Sequence, residues 1–133
     1  MLGEQIGEET GKVQVRRVIS VDGGTKVEVT VQSTGKLLGV DTRNTVTYWA
    51  GIRPDGTLYG EAHGLVVGKG GEQATFKGAG AGKLLEGGAV SYRGASYYYS
   101  DSPNFRRLNA VAVVFEYSAD AEGNTKSKAW EWK

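Results

Sequence analysis

Between Thr57 and Gly82 the chain reads TLYGEAHGLVVGKGGEQATFKGAGAG, with glycine at nearly every second or fourth position laid over a two-residue alternation of side-chain character. That period belongs to β-strands, whose successive side chains point to opposite faces. Glycine inside a strand costs stability through backbone entropy and a missing side chain, so it stands where backbone must bend, bulge or admit a bulky neighbour. A tightly curved sheet needs such places, and the segment predicts a coiled β-ribbon.

The alternation extends through almost the whole chain, and no stretch shows the three-and-four spacing of an amphipathic helix. Candidate strands are Lys12–Val21, Thr25–Ser33, Thr45–Arg53, Thr57–Gly68, Glu72–Gly82, Ala89–Ser100, Arg107–Ala119 and Thr125–Lys133, with a short piece at Leu37–Val40. Most connections are brief and rich in turn formers, such as Asp22-Gly23-Gly24 and Glu86-Gly87-Gly88, and short turns join antiparallel neighbours. Arg53-Pro54-Asp55-Gly56-Thr57 suits a three-residue hairpin loop in which the glycine takes the left-handed position. That loop sets Ile52 against Leu58, Ala50 against Gly60, Tyr48 against Ala62 and Val46 against Gly64. A similar loop at Lys69-Gly70-Gly71 sets Val66 against Ala74, Gly64 against Phe76 and Ala62 against Gly78.

One face of this ribbon then carries Val46, Tyr48, Ala50, Ile52, Leu58, Val66, Ala74 and Phe76, with rings over cross-strand glycine and alanine. The other carries Thr47, Trp49, Tyr59, Glu61, His63, Leu65 and Lys77. Long strands, tight turns and glycines at coiling points favour an all-β fold, an antiparallel up-and-down meander closed into a barrel of about eight strands, over a two-sheet sandwich with its longer crossovers. The 133 residues fit a single domain, 1–133. The loop Asp101–Arg106, with proline in its middle, is a candidate cap for one barrel mouth.

Composition narrows the chemistry. Cysteine is absent, which excludes thiol nucleophiles, disulfides and thiolate metal sites. The 16 basic and 15 acidic residues nearly cancel and are interspersed, so no stripe attracts a phosphate backbone and no nucleic-acid partner is expected. The N-terminal segment MLGEQIGEETGKVQ lacks the basic start and apolar run of a secretion signal, and no stretch is long and apolar enough for a spanning helix; the expectation is a cytoplasmic protein without a membrane partner. No metal-ligand spacing occurs. The GKGGEQ and GAGAGK runs lie in a β-ribbon without a following helix, so they offer no phosphate-binding helix terminus, and no cofactor is expected.

The run GEAHGLVVGKGGEQATFKGAGAG resembles the glycine-rich paired strands of uncharacterised bacterial members of small eight-stranded barrels, the calycin-like and allene oxide cyclase-like group, which also includes dirigent-like proteins. The resemblance implies a barrel with an apolar pocket, often in an oligomer. No catalytic motif of the cyclases maps onto these residues, and the glycine-x-tryptophan of lipocalins is missing.

His63, the sole histidine, shares a face with Glu61, Thr47 and Lys77. His63 and Glu61 are the candidate catalytic pair if a proton moves; the alternative is a solvated surface histidine. Arg17 falls in the series Val13, Val15, Arg17, Ile19, Val21, where an inward guanidinium demands an anionic partner. A bulge at Arg16–Arg17 that turns both side chains outward is the competing reading. Arg93 shares a face with Tyr97 and Tyr99, and the tyrosine run 97–99 together with Tyr92 and Phe105 is equally a pocket wall or ordinary β-propensity. Arg17, Tyr48, Arg93, Tyr97 and Tyr99 are the candidate ligand-binding residues. Trp130 and Trp132 share a face of the last strand and read as core at the barrel seam or as a subunit contact.

Three functions fit: a barrel binding a small apolar or amphipathic molecule, a packed structural or homo-oligomeric barrel, and an isomerase or cyclase that folds its substrate in a barrel pocket.

Overall fold

In the computed structural model, which describes Met1–Lys133, the strands are β1 (Leu2–Ser20), β2 (Lys26–Leu37), β3 (Val40–Ile52), β4 (Thr57–Gly68), β5 (Gln73–Leu84), β6 (Val90–Tyr99), β7 (Ala112–Ala119) and β8 (Asn124–Trp132). Each pairs antiparallel with the next, and β1 pairs with β8 from Leu2↔Trp132 to Lys12↔Asn124, which closes the barrel. The meander expected from the short turns is therefore present. Both ribbon registers stand as derived, with Tyr48↔Ala62 and Gly64↔Phe76 among the pairs. The loop at Arg53–Thr57 owes this to its chemistry: the Arg53 N–H donates to the Thr57 carbonyl at 2.8 Å, and Gly56 takes φ +88°, which side chains rarely adopt.

Several boundaries differ from the sequence reading, among them the end of β2 at Leu37 rather than Ser33 and the start of β3 at Val40 rather than Thr45. β1 begins at Leu2 rather than Lys12, because Gly7–Gly11 is held on both edges by β2 and β8 and the residues before it pair with β8. The piece Leu37–Val40 is the β2–β3 hairpin turn, with Leu38 and Gly39 both at positive φ. Arg107–Ala110 belongs to a 3-10 turn, Arg106–Ala110, and not to β7.

The face carrying Val46, Tyr48, Ala50, Leu58, Val66, Ala74 and Phe76 points inward, while Ile52, the last β3 residue before the hairpin loop, is exposed. A narrow barrel leaves little room for rings, and glycine provides it. A Cβ on Gly64 would lie 2.5 Å from the Phe76 ring, and one on Gly94 would lie 2.7 Å from the ring of Phe115. Apolar contacts gather at the two ends of the barrel. One cluster joins Ile6, Leu37, Val66, Ala74 and Val113 to Phe105 and Leu108 of the β6–β7 connection. The other joins Ala50, Leu58 and Tyr92 to Tyr48, Phe115 and Tyr117. Phe105 and Leu108 are completely buried, so the connection that includes Asp101–Arg106 does cap one mouth. No helix is long and apolar enough to cross a membrane.

Candidate functional site

Between the two apolar ends lies a cavity of about 120 Å3 whose walls include Phe76, Tyr98 and Phe115, with Tyr48, Tyr92 and Tyr117 at one end and Glu9, Ser33 and Ser127 on one side. It arises because β4, β5 and β6 present Gly60, Ala62, Gly80 and Ser96 at inward positions, where larger side chains would fill the centre.

The tyrosine end is a mutual arrangement. The Tyr48 and Tyr117 hydroxyls lie 3.1 Å apart, one donating to the other, and their rings meet edge to face with centroids 5.5 Å apart. Tyr92 completes the group at 6.2 Å from Tyr48 and 6.1 Å from Tyr117. Burial raises the pKa of all three hydroxyls and keeps them neutral hydrogen-bonding groups; the positive charge of Arg16 opposes this at Tyr48 and Tyr117.

The polar side centres on Glu9. Ser33 Oγ donates to one carboxylate oxygen at 3.3 Å and Ser127 Oγ to the other at 3.4 Å. These are long bonds, and none of the protein's ion pairs includes Glu9. Burial pushes its carboxyl above the ordinary glutamate range, with the two serine hydrogen bonds pulling the other way. Tyr98, also facing the cavity, has its phenol raised by burial and by the charge of Glu9.

The residues singled out in the sequence divide sharply. Tyr48 lines the cavity. His63 and Glu61 stand on the outer surface, His63 between Thr47 and Lys77 in the strand registers, and Glu61 accepting from the Tyr59 hydroxyl at 3.1 Å. Tyr97 and Tyr99 point outward at 60% and 58% exposure, while the residue between them, Tyr98, points in. Arg93 lies outside, 3.8 Å from Glu116 on the neighbouring strand.

An inward Arg17 is corrected by a register shift between Val13 and Val15. Beyond that bulge the parity of β1 inverts. Arg17 comes to lie outside opposite Glu28, paired at 2.9 Å, whereas Arg16 falls opposite the inward Val29. The outward direction expected for Arg17 thus holds, although the bulge stands at Val13–Val15 rather than at Arg16–Arg17; Arg16 takes the side facing Val29, where its charge reaches the tyrosine hydroxyls. The tryptophans of β8 are not core either: Trp132 is 61% exposed, and the inward positions are Thr125, Ser127 and Ala129.

Glu9, Ser33, Tyr117 and Ser127 were not singled out in the sequence, and Tyr98 only as a member of the tyrosine run 97–99. For Glu9 the available signal is the small-residue spacing Gly7-x-Glu9-x-Gly11, with a carboxylate at the middle same-face position of a strand. That signal becomes readable only once the segment is known to be a strand.

No protein-family model matches the chain, and no curated protein matches it. Solved structures do. A protein of unknown function from Clostridium acetobutylicum superposes with a TM-score of 0.85 at 15% identity, covering 98% of both chains. A conserved protein of unknown function from Rhodopseudomonas palustris gives a TM-score of 0.79 at 12% identity over 99% of each chain. A β-barrel-like protein from Acinetobacter baumannii gives 0.80 at 12% identity, covering 100% of this chain and 96% of the other. The chain shares its barrel fold with these proteins from end to end. At such identities the likeness speaks to architecture alone.

Proposed function

We propose that this protein is a binding barrel that takes one small amphipathic molecule into its centre. The observation that supports this is the interior cavity, walled by aromatic rings and supplied with a few polar groups on one side, which is the usual composition of a small-molecule site. Its size limits the guest. A cavity of about 150 Å3 holds benzene, so a single ring or a short chain suits this one, and a fatty acid or isoprenoid does not.

The calycin-like and allene oxide cyclase-like resemblance enters here as a reading of shape: a closed meander with a central pocket is what those barrels have in common. The isomerase or cyclase reading gains nothing from His63, which is exposed and does not line the cavity, and little from Glu61, which adjoins the cavity wall while its exposed carboxylate accepts from the Tyr59 hydroxyl. A homo-oligomer draws some support from Trp49, Tyr59 and Leu65 on the outside, although Lys26 covers Trp49 at 4.2 Å and Arg53 covers Tyr59 at 5.0 Å.

The test is a thermal-shift series with single-ring compounds, followed by two-dimensional NMR. Ligand at about a hundred times its dissociation constant stabilises by about 2.7 kcal/mol, a readily measured shift. The expected result is a rise in melting temperature with perturbed amides around Tyr48, Tyr92 and Tyr117. No rise with any compound, and no interior perturbation, would overturn the reading.

A further inference from the structure

Resting on that pocket reading, we propose that the guest is a small primary amine, its apolar body among the rings and its ammonium group against Glu9.

The inference comes from counting donors and acceptors beside the cavity. Glu9 accepts on both oxygens, and Ser33 and Ser127 each give it their single hydroxyl proton at long range. Neither serine has a proton left for a guest. In the β2–β3 register Asn44 stands opposite Ser33; it is 4% exposed, and its Oδ1 has no hydrogen-bond partner. Asn44 carries two amide donors as well, so the group on this side that can only accept is the Glu9 carboxylate. A guest carboxylate placed against Glu9 would meet like charge and acceptors only, whereas an ammonium brings three donors to it.

Charge points the same way. No lysine, arginine or histidine forms an ion pair with Glu9; Lys128 adjoins the cavity wall, but its side chain is exposed on the strand position opposite Glu8 and Glu116, and the titratable group that senses Glu9 is the neutral phenol of Tyr98. A carboxylate taken out of water without a counter-charge is costly, and a bound cation removes that cost while forming a charge-assisted hydrogen bond. The cavity wall opposite consists largely of Phe76, Phe115 and the tyrosines, suited to an apolar body. Ring faces also attract a cation, which makes the same pocket unfavourable to an anion.

Benzylamine, benzyl alcohol and benzoate share one ring and differ in the head group, so calorimetric titration of each into the intact protein and its Glu9→Gln variant separates the possibilities. The proposal expects benzylamine to bind wild type at least about tenfold more tightly than benzyl alcohol, equivalent to about 1.4 kcal/mol, with benzoate weakest. Glu9→Gln should erase the preference for the amine while leaving the alcohol bound. Equal binding of amine and alcohol, a preference for benzoate, or an amine preference that survives Glu9→Gln would each overturn it, with the pocket reading intact. Failure of all three compounds would remove the pocket reading as well. Should Glu9→Gln fold poorly, the wild-type protein answers by itself: benzylamine affinity must fall as acid protonates Glu9 while the amine stays charged, and benzyl alcohol affinity must not. Parallel pH profiles for the two would sink the amine assignment.

Discussion

The two ends of the barrel bury aromatic residues in opposite ways. At one end Phe105 and Leu108 descend from the β6–β7 connection and pack, completely buried, against Ile6, Leu37, Val66, Ala74 and Val113. At the other, Tyr48 and Tyr117 remain half-buried, tied to each other by their hydroxyls, with the charge of Arg16 acting on them from the β1–β2 hairpin. The first end is a plug made of shape and hydrophobicity. The second is a set of rings whose polar tips need partners, and rings of that kind can exchange partners where a fully packed plug cannot. The cavity lies between them.

The largest test of this contrast is Phe105→Ala. Removing a fully buried ring should destabilise the protein by about 3–5 kcal/mol in urea unfolding. A loss below about 1 kcal/mol would mean that the plug does not hold the barrel shut. Next, Gly64→Ala places a methyl group against the Phe76 ring on the cavity wall, and overpacking of this kind should cost about 1–3 kcal/mol. At the tyrosine end the effect should be smaller. Tyr48→Phe breaks the hydroxyl pair and should cost about 1 kcal/mol, measured in the same way, because the ring and its edge-to-face contacts persist.

Glu9 supplies a pH test of the region between the ends. Burial raises its folded pKa above the ordinary glutamate range, so the folded state keeps its proton to higher pH than the unfolded chain does. The associated stability is full below the unfolded value and is lost as pH rises through the raised folded value. Glu9→Gln should flatten that part of the stability curve, and an unchanged slope would place the titration elsewhere. The smallest effect belongs to the outer wall: His63→Ala should alter stability by less than about 0.5 kcal/mol and leave ligand binding unchanged.

Much of the architecture was legible in the chain because turn chemistry and strand parity are local. The proline, aspartate and glycine of the Arg53–Thr57 loop set one register, the Lys69–Gly71 loop set the next, and together they sorted the β3–β5 residues into two faces. Parity fails where the chain slips by one residue. The shift between Val13 and Val15 exchanges the roles of Arg16 and Arg17, and the apolar series that drew attention to Arg17 gives no sign of it. The tyrosine run posed a similar problem: alternation requires Tyr97 and Tyr99 to share a face but does not say which face is inside, and the interior went to Tyr98. Glu9 was hidden for another reason. Its segment is polar and glycine-bearing, with no apolar alternation to mark a strand, and its extended form comes from pairing on both edges at the seam.

From its sequence alone the protein was committed to a coiled meander of paired strands, because glycine placement, two-residue periodicity and hairpin loops act over a few residues and need no distant partner. Closure of β1 on β8, the inversion of β1 at its bulge, and the meeting of Glu9 with Ser33, Ser127 and the ring-lined cavity belong to the tertiary structure. Those contacts join residues as far apart as Glu9 and Ser127, and a barrel seam brings such positions together only when every intervening strand has taken its register.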